Sequence, residues 1–248
     1  MENNFVNMLV NRFFIELEKN DRSGIYAMTQ RNLTYNSNKI EGSTLTEKQT
    51  ASIFETGTIL SENELIRSKD VEEATGHFMM FNKMLETYKE PLTHEIIKQY
   101  HYRLKIAVWE DMLNGYPVGE YKTRANKVAN IVTALPNEVE ERMTNLLSVY
   151  NKKEKHTIED IAEFHASYEM IHPFQDGNGR TGRIILFKEC LKNDIIPFII
   201  EDKNKGLYYE ALNDKQTNGN IDKLIALFKQ EQKVYYDLGK DFVIPFKS

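Results

Sequence analysis

Residues 172–183 read His-Pro-Phe-Gln-Asp-Gly-Asn-Gly-Arg-Thr-Gly-Arg, a run built for chemistry on an anion. Gly177-Asn178-Gly179 precedes a stretch of helical period, so its backbone N–H groups can converge at a helix N-terminus. Free amides there, reinforced by the helix dipole, make an anion site. Arg180 and Arg183 fall in the first turn of that helix, three residues apart and therefore side by side. Two cations at the positive end of a helix are unfavourable alone. They call for an anionic ligand, and the guanidinium fork suits phosphate. Asp176 would repel such a ligand unless a cation lay between them, and Mg²⁺ held by one carboxylate and by phosphate oxygens is the usual arrangement. His172 ends the preceding helical run, is followed by Pro173, and faces the glycine nest across a short loop. A histidine so placed can accept a proton from an attacking hydroxyl near neutral pH. Together these residues describe a site for phosphoryl or nucleotidyl transfer.

The same run contains Gly177-Asn178-Gly179-Arg180-Thr181-Gly182, a literal G-x-G-x-x-G, with Glu201 and Asp202 about twenty residues further on. That fingerprint has meaning only between a strand and a helix of a βαβ unit. Upstream, however, Ile158, Ile161, His165, Tyr168 and His172 recur at steps of three and four, the period of a helix face. The chain also lacks the alternating strands of a parallel sheet, which excludes a dinucleotide fold.

The elements that must position the loop are mostly helical. Phe5, Leu9, Phe13 and Leu17 recur every four residues. Thr46-Glu-Lys-Gln49 has the form of a capping box opening a helix towards Ile59, and Thr157-Ile-Glu-Asp160 of another leading to Ile171. Further helices are predicted over 70–88, from Thr93 to Val108, from Pro136 to Tyr150, and over 180–192, 206–216 and 220–236. Residues 119–136 break the pattern: Val128, Asn130 and Val132 alternate with period two, which predicts a small hairpin. The expectation is an all-α fold with a small β-hairpin, residues 61–248 forming the main unit and residues 1–60 a helical extension packed on it.

Composition narrows the partners. The chain has 248 residues, 41% hydrophobic and 28% charged, enough to bury a core. Its net charge is −5 with both signs intermixed, whereas nucleic-acid binding through phosphate neutralisation leaves a basic excess. Cys190 is the single cysteine and reads as a buried helical position, so no intrachain disulfide forms and a reducing compartment is expected. The first twenty residues carry no apolar signal region. No stretch approaches the ~20 apolar residues of a membrane span. A cytoplasmic location without membrane contact is expected.

The run from His172 to Arg183 matches H-P-F-x-[D/E]-G-N-G-R-x-x-R at every specified position, and so resembles the Fic family. The likeness extends over residues 90 to 235, through Gly119-Glu-Tyr-Lys122 and Tyr208-Tyr-Glu-Ala-Leu212. It implies a helical core and Mg²⁺-dependent transfer of AMP from ATP to a hydroxyl side chain (Ser, Thr or Tyr) of a target protein. It also implies roles: His172 as general base, Phe174 as anchor of the loop, Asp176 for Mg²⁺ and Asn178 on the α-phosphate. The backbone of Gly177 and Gly179, with Arg180, would cradle the phosphates, and Arg183 would meet the γ-phosphate. A branch of the family with lysine in place of Gly179 acts as a kinase, so the glycine favours nucleotidyl transfer. Val128, Asn130 and Val132 lie where the family has a flap that aligns a target strand, and Tyr208 and Tyr209 where relatives line an adenine pocket.

Ser37-Asn-Lys-Ile-Glu41-Gly42 resembles the family's inhibitory motif [S/T]-x-x-x-E-[G/N], of the class with an N-terminal inhibitory helix. Gly42 suits a helix C′ position, which leaves the Glu41 carboxylate at the negative end of its helix. Arg183 is a cation at the positive end of its own. Pairing them relieves both and occupies the arginine that a γ-phosphate needs. Removal of AMP from a modified protein, transfer of UMP or phosphocholine, and a nucleotide-binding module without catalysis are the alternatives, and self-association as a homodimer is left open.

Overall fold

The computed structural model describes residues 2–59, 65–128 and 131–243. Among these, helices α1 (Glu2–Glu18), α2 (Ile25–Ile40), α3 (Glu47–Thr56), α4 (Ser68–Thr87), α5 (His94–Lys105) and α6 (Trp109–Asn114) come first. A hairpin follows, β1 (Lys127–Val128) and β2 (Ile131–Val132), paired antiparallel with Lys127 opposite Val132 and Val128 opposite Ile131. Then come α7 (Pro136–Tyr150), α8 (Ile158–Ile171), α9 (Asn178–Lys192), α10 (Lys205–Asn218) and α11 (Asp222–Val243), with a 3₁₀ turn at Asp202–Asn204 before α10. The fold is all-α, as expected. Asn130 and the side chains of the hairpin lie outside the described residues. No described helix is long and apolar enough to cross a membrane.

Local chemistry sets the helix ends that matter here. Thr46 accepts from the Gln49 amide and the Gln49 side chain returns to the Thr46 N–H, the reciprocal cap read from the sequence. The helix so opened stops at Thr56, short of Ile59, because Gly57 turns left-handed at φ 69°. Thr157 and Asp160 cap α8 in the same way.

α9 is the central helix. Every residue from Arg180 to Leu191 is buried, so α9 lacks a polar stripe, as an interior helix must. Its Phe187 ring stands 5.7 Å from Phe81 of α4 and 5.7 Å from Tyr235 of α11, while Phe13 of α1 lies 5.9 Å from Phe81. Aromatic contacts of this kind tie four helices to one axis. The charges that α9 carries inward are paired. Lys188 donates to Glu189 (2.8 Å) and to the Glu90 carbonyl (2.6 Å), and Tyr150 donates to Glu189 (2.9 Å), since a buried charge without partners is costly.

α2 crosses the N-terminal end of α9 and is held at both of its own ends. Its C-terminal Ile40 is buried beside Ile161, Leu186 and Tyr208. Its N-terminus starts at Gly24, which has no capping side chain. α1 supplies the cap instead: Glu16, 1% exposed, accepts from the Tyr26 N–H at 2.8 Å and pairs with Arg12 at 2.7 Å. A carboxylate there also meets the positive end of the α2 dipole. Replacing Glu16 by Ala leaves a buried N–H without an acceptor, and is expected to cost about 1–3 kcal/mol, read as a lowered urea midpoint with an unchanged m-value.

Candidate functional site

The loop between α8 and α9 is fixed by its own residues and by α5. His172 caps α8 in the left-handed conformation (φ 53°, ψ 62°), its N–H donating to the Tyr168 carbonyl at 2.9 Å. That conformation costs a non-glycine residue about 1–2 kcal/mol, and it swings the chain back across the start of α9. Phe174 is fully buried and stacks on His101 of α5, rings parallel and 3.9 Å apart. The Gly119 N–H donates to His101 Nδ1 (2.9 Å), so the proton sits on Nε2, which donates to the Asp176 carbonyl at 3.0 Å. Burial depresses His101 to about 3, leaving the ring neutral in this clamp. Asn178 holds the loop as well: its side-chain oxygen accepts from Phe174 N–H (2.7 Å) and its amide donates to Phe174 O (2.8 Å). The amide expected to meet an α-phosphate is therefore engaged in closing the turn. Gly177 (φ 81°) brings α9's first amides to the loop.

Asp176 sits in a net of cations. Lys105 Nζ lies 2.7 Å from its Oδ2, Arg180 Nη2 is 3.3 Å from both oxygens, and Lys69 Nζ stands at 3.8 Å. Against burial, Arg180 and Lys105 hold this carboxyl well below the ordinary carboxylate range, so it stays ionised. Behind it, Glu73 of α4 binds Lys105 (2.6 Å) and Arg180 (2.5 Å), and Asp111 binds Lys105 (2.8 Å). A cavity of ≈ 430 Å³ opens in front, lined by Glu41, Arg67, Lys69, Glu73, Asp176 and Arg180 among others.

Arg183 lies beside this net, 3% exposed. Its Nε donates to Ser37 Oγ (3.0 Å), and its Nη2 donates to Ser37 O (2.8 Å) and to Glu41 Oε1 (2.7 Å). Glu41 is the C-cap of α2, and Gly42 follows at φ 89°. The carboxylate also crowds the nest: a Cβ on Gly179 would stand 2.2 Å from Glu41 Oε1. Asn38, one turn back on α2, faces Arg180 at 3.4 Å.

His172 is 18% exposed at its side chain, and burial together with Lys122 pulls it down to about 4. It is thus a neutral imidazole at physiological pH. Lys122, in the segment leading to the hairpin, donates its backbone N–H to Pro173 O (2.8 Å) and its ammonium to Asn126 Oδ1 (2.7 Å) and Thr133 Oγ1 (2.9 Å). The hairpin is therefore pinned to the loop that carries His172. Tyr208 is buried, with His165 Nε2 2.8 Å from its hydroxyl, whereas Tyr209 is 39% exposed.

Sequence reading missed His101, Lys105 and Glu73. A signal existed: Ile97, His101 and Lys105 fall four apart on α5, so a lysine continues an apolar stripe, and such a lysine needs a buried acid. For a metal ion, the described residues offer no group of three or more acidic, histidine or cysteine ligands. They do offer one permanently ionised carboxylate open to the cavity. That suits Mg²⁺, which takes one or two carboxylates and fills its shell with water and phosphate oxygens.

Removing the Glu41 carboxylate frees the buried Arg183 guanidinium beside the glycine nest. The Glu41→Gly protein is expected to bind inorganic tripolyphosphate about tenfold more tightly or better, measured by titration calorimetry against the unmodified chain.

Comparison with known proteins gives the same assignment. Residues 91–189 match the Fic/DOC family model. Over 192 residues, the chain is 29% identical to the protein adenylyltransferase Fic of Nematostella vectensis, covering 75% of this chain and 43% of the relative. It is 28% identical over 181 residues to that of Aedes aegypti, covering 72% and 35%. The chain thus spans less than half the length of these curated relatives. A Fic-domain-containing signaling protein of Bacteroides thetaiotaomicron superposes with a TM-score of 0.74 at 23% identity, over 100% of both chains. The Bartonella tribocorum effector BepC, solved with bound AMPPNP, superposes at 0.51 with 16% identity over 71% of this chain and 92% of that one. Motif, helical fold and relatives agree in likening the chain to the Fic/DOC family, whose model matches residues 91–189.

Proposed function

We propose that this chain is a protein adenylyltransferase that transfers AMP from ATP to a hydroxyl side chain of a target protein, itself included, and that Glu41 restrains it. The observation that carries this reading is the contact between Glu41 and Arg183 at 2.7 Å, made beside an ionised Asp176, a glycine nest and a neutral His172. An anion-binding site closed by the protein's own carboxylate has the form of a braked enzyme. Further support comes from the relatives named as adenylyltransferases and from the ATP analogue bound to BepC.

In the reaction, the hydroxyl oxygen attacks the α-phosphorus, its proton passes to His172, and the bond to the β-phosphate breaks to release pyrophosphate. His172 can take that proton because burial keeps it neutral. The first amides of α9 and Arg180 meet the charge that grows on the phosphoryl oxygens. Asp176 would hold Mg²⁺, which neutralises phosphate charge when bound. Arg183 is assigned to the γ-phosphate, the exposed Tyr209 to the adenine edge, and the hairpin at 127–132 to alignment of the target segment as an added strand. Glu41 stands against the nest, and this also suits it to orient water for the reverse reaction, removal of AMP.

Incubation with ATP and Mg²⁺ followed by intact-mass spectrometry tests the assignment. Glu41→Gly is expected to accumulate AMP adducts faster than the unmodified chain, and adding His172→Ala to lower that rate about 100-fold or more. Absence of any adduct in Glu41→Gly overturns the transferase reading. A gain of activity against an AMP-modified protein, lost on removing Glu41, would favour the reverse reaction.

A further inference from the structure

Behind His172, Nδ1 has no well-formed hydrogen bond, only the Glu169 backbone carbonyl acting on the ring, and the buried Glu169 Oε1 has no hydrogen-bond partner. They belong to residues one turn apart on α8, and the other Glu169 oxygen, Oε2, lies 4.0 Å from His172 Nδ1. Oε1 lies 3.9 Å from His165 Nε2. The Glu169 side chain is only 10% exposed. The cation acting on it, Arg183 across on α9, is already committed to Glu41 and Ser37.

α9 makes room for this carboxylate. A Cβ on Gly182 would stand 2.5 Å from Glu169 Oε1 and 3.1 Å from the His165 ring. Gly182 is one of the two positions between the arginines that the family signature leaves unspecified. A glycine inside a helix costs about 1 kcal/mol against alanine, and here it accommodates a buried acid beside the catalytic imidazole.

We propose that Glu169 is a positioning residue for His172: its carboxylate accepts the Nδ1–H of the imidazole and keeps the Nε2 lone pair turned to the reacting hydroxyl. The proposal rests on the transferase reading for its catalytic meaning. Closing the pair requires a shift of about 1 Å, and hydrogen bonds of catalytic residues are commonly long in the free enzyme and tighten with substrate. When the hydroxyl proton arrives at Nε2, the imidazolium so formed lies against an anion, as in other histidine–carboxylate pairs.

The ionisable surroundings support a measurable signature. Burial, opposed by Arg183 and aided by Glu41 of α2, pushes the Glu169 carboxyl up to about 8. Burial and Lys122 pull His172 down to about 4, opposed by the Glu169 backbone carbonyl, Glu41 and Asp176. Glu169 therefore gives up its proton as pH rises through about 8, with His172 already neutral. Above that, Glu169 is the anion able to hold Nδ1–H. Transfer should rise with pH through this limb.

The test compares Glu41→Gly with Glu41→Gly/Glu169→Gln, an isosteric change that removes the charge alone. The added substitution is expected to lower kcat about tenfold or more, to leave the KM for ATP unchanged, and to abolish the Glu169 limb, which the loss of Glu41 moves below 8 in this background. In ¹⁵N-histidine NMR spectra, the His172 ring signals, assigned by their loss in His172→Ala, should show an inflection near 8 that Glu169→Gln lacks. An unchanged kcat and limb overturn the proposal. They would give the limb to Lys122, which burial brings down to about 8, and the orienting contact to the Glu169 backbone carbonyl. If Glu41→Gly transfers nothing, the transferase reading falls, and the NMR comparison alone decides the pair. An inflection that survives in Glu169→Gln then overturns it.

Discussion

A guanidinium buried in the first turn of a helix is the constraint around which this protein is arranged. Arg183 is 3% exposed and sits where the α9 dipole is already positive. Such a charge cannot be left without an anion. In the observed state the anion is Glu41, delivered from 142 residues earlier in the chain. The features of α2 serve that delivery: an N-terminus capped by α1, a C-terminal Ile40 sunk among α8, α9 and α10, and Ser37 completing the arginine's donors. Any ligand that takes Glu41's place must offer comparable charge, so the two occupants exclude each other by the same chemistry that recognises them.

The rest of the site is independent of that exchange. Asp176 is held by Lys105 and Arg180, and these by Glu73 and Asp111, in a net whose charges stay paired whether or not Arg183 changes partner. His101 clamps the loop from the other side through a stacked ring and a hydrogen bond. Donors fixed before a ligand arrives need no reorganisation when it does. The site thus has a permanent half, made by α4, α5 and the loop, and a contingent half, made by α2.

What was legible in the sequence follows this division. The two capping boxes, the helical periods and the loop of residues 172–183 are local patterns, and the structure has them where the residues put them. The Ser37–Glu41 pattern was readable too, because a helix C-terminus and a helix N-terminus carry opposite needs. The permanent net was not readable in the same way. Glu73, Lys105, Asp111 and Asp176 come from four separate elements, and nothing in their spacing says that they meet. α6 escaped notice because six residues are fewer than two turns and show no period. Asn178 has a use the sequence did not show for a related reason: its amide closes on a backbone four residues away, a turn geometry that residue type alone does not reveal. Tyr208 was grouped with its neighbour Tyr209, although helix rotation turns one inward and the other out.

The empty side of Gly179 has a consequence for how this chain can change over generations. The space a methyl group would fill there is the space that the Glu41 carboxylate occupies, 2.2 Å from the missing Cβ. The same bare backbone leaves its amide open to an incoming anion. One absent side chain thus underwrites both the resting and the working condition, and a mutation at this codon touches the two together. Under the proposed restraint, drift towards a permanently active descendant would be directed away from the loop of residues 172–183 and onto α2, where Glu41 can be lost without disturbing that loop.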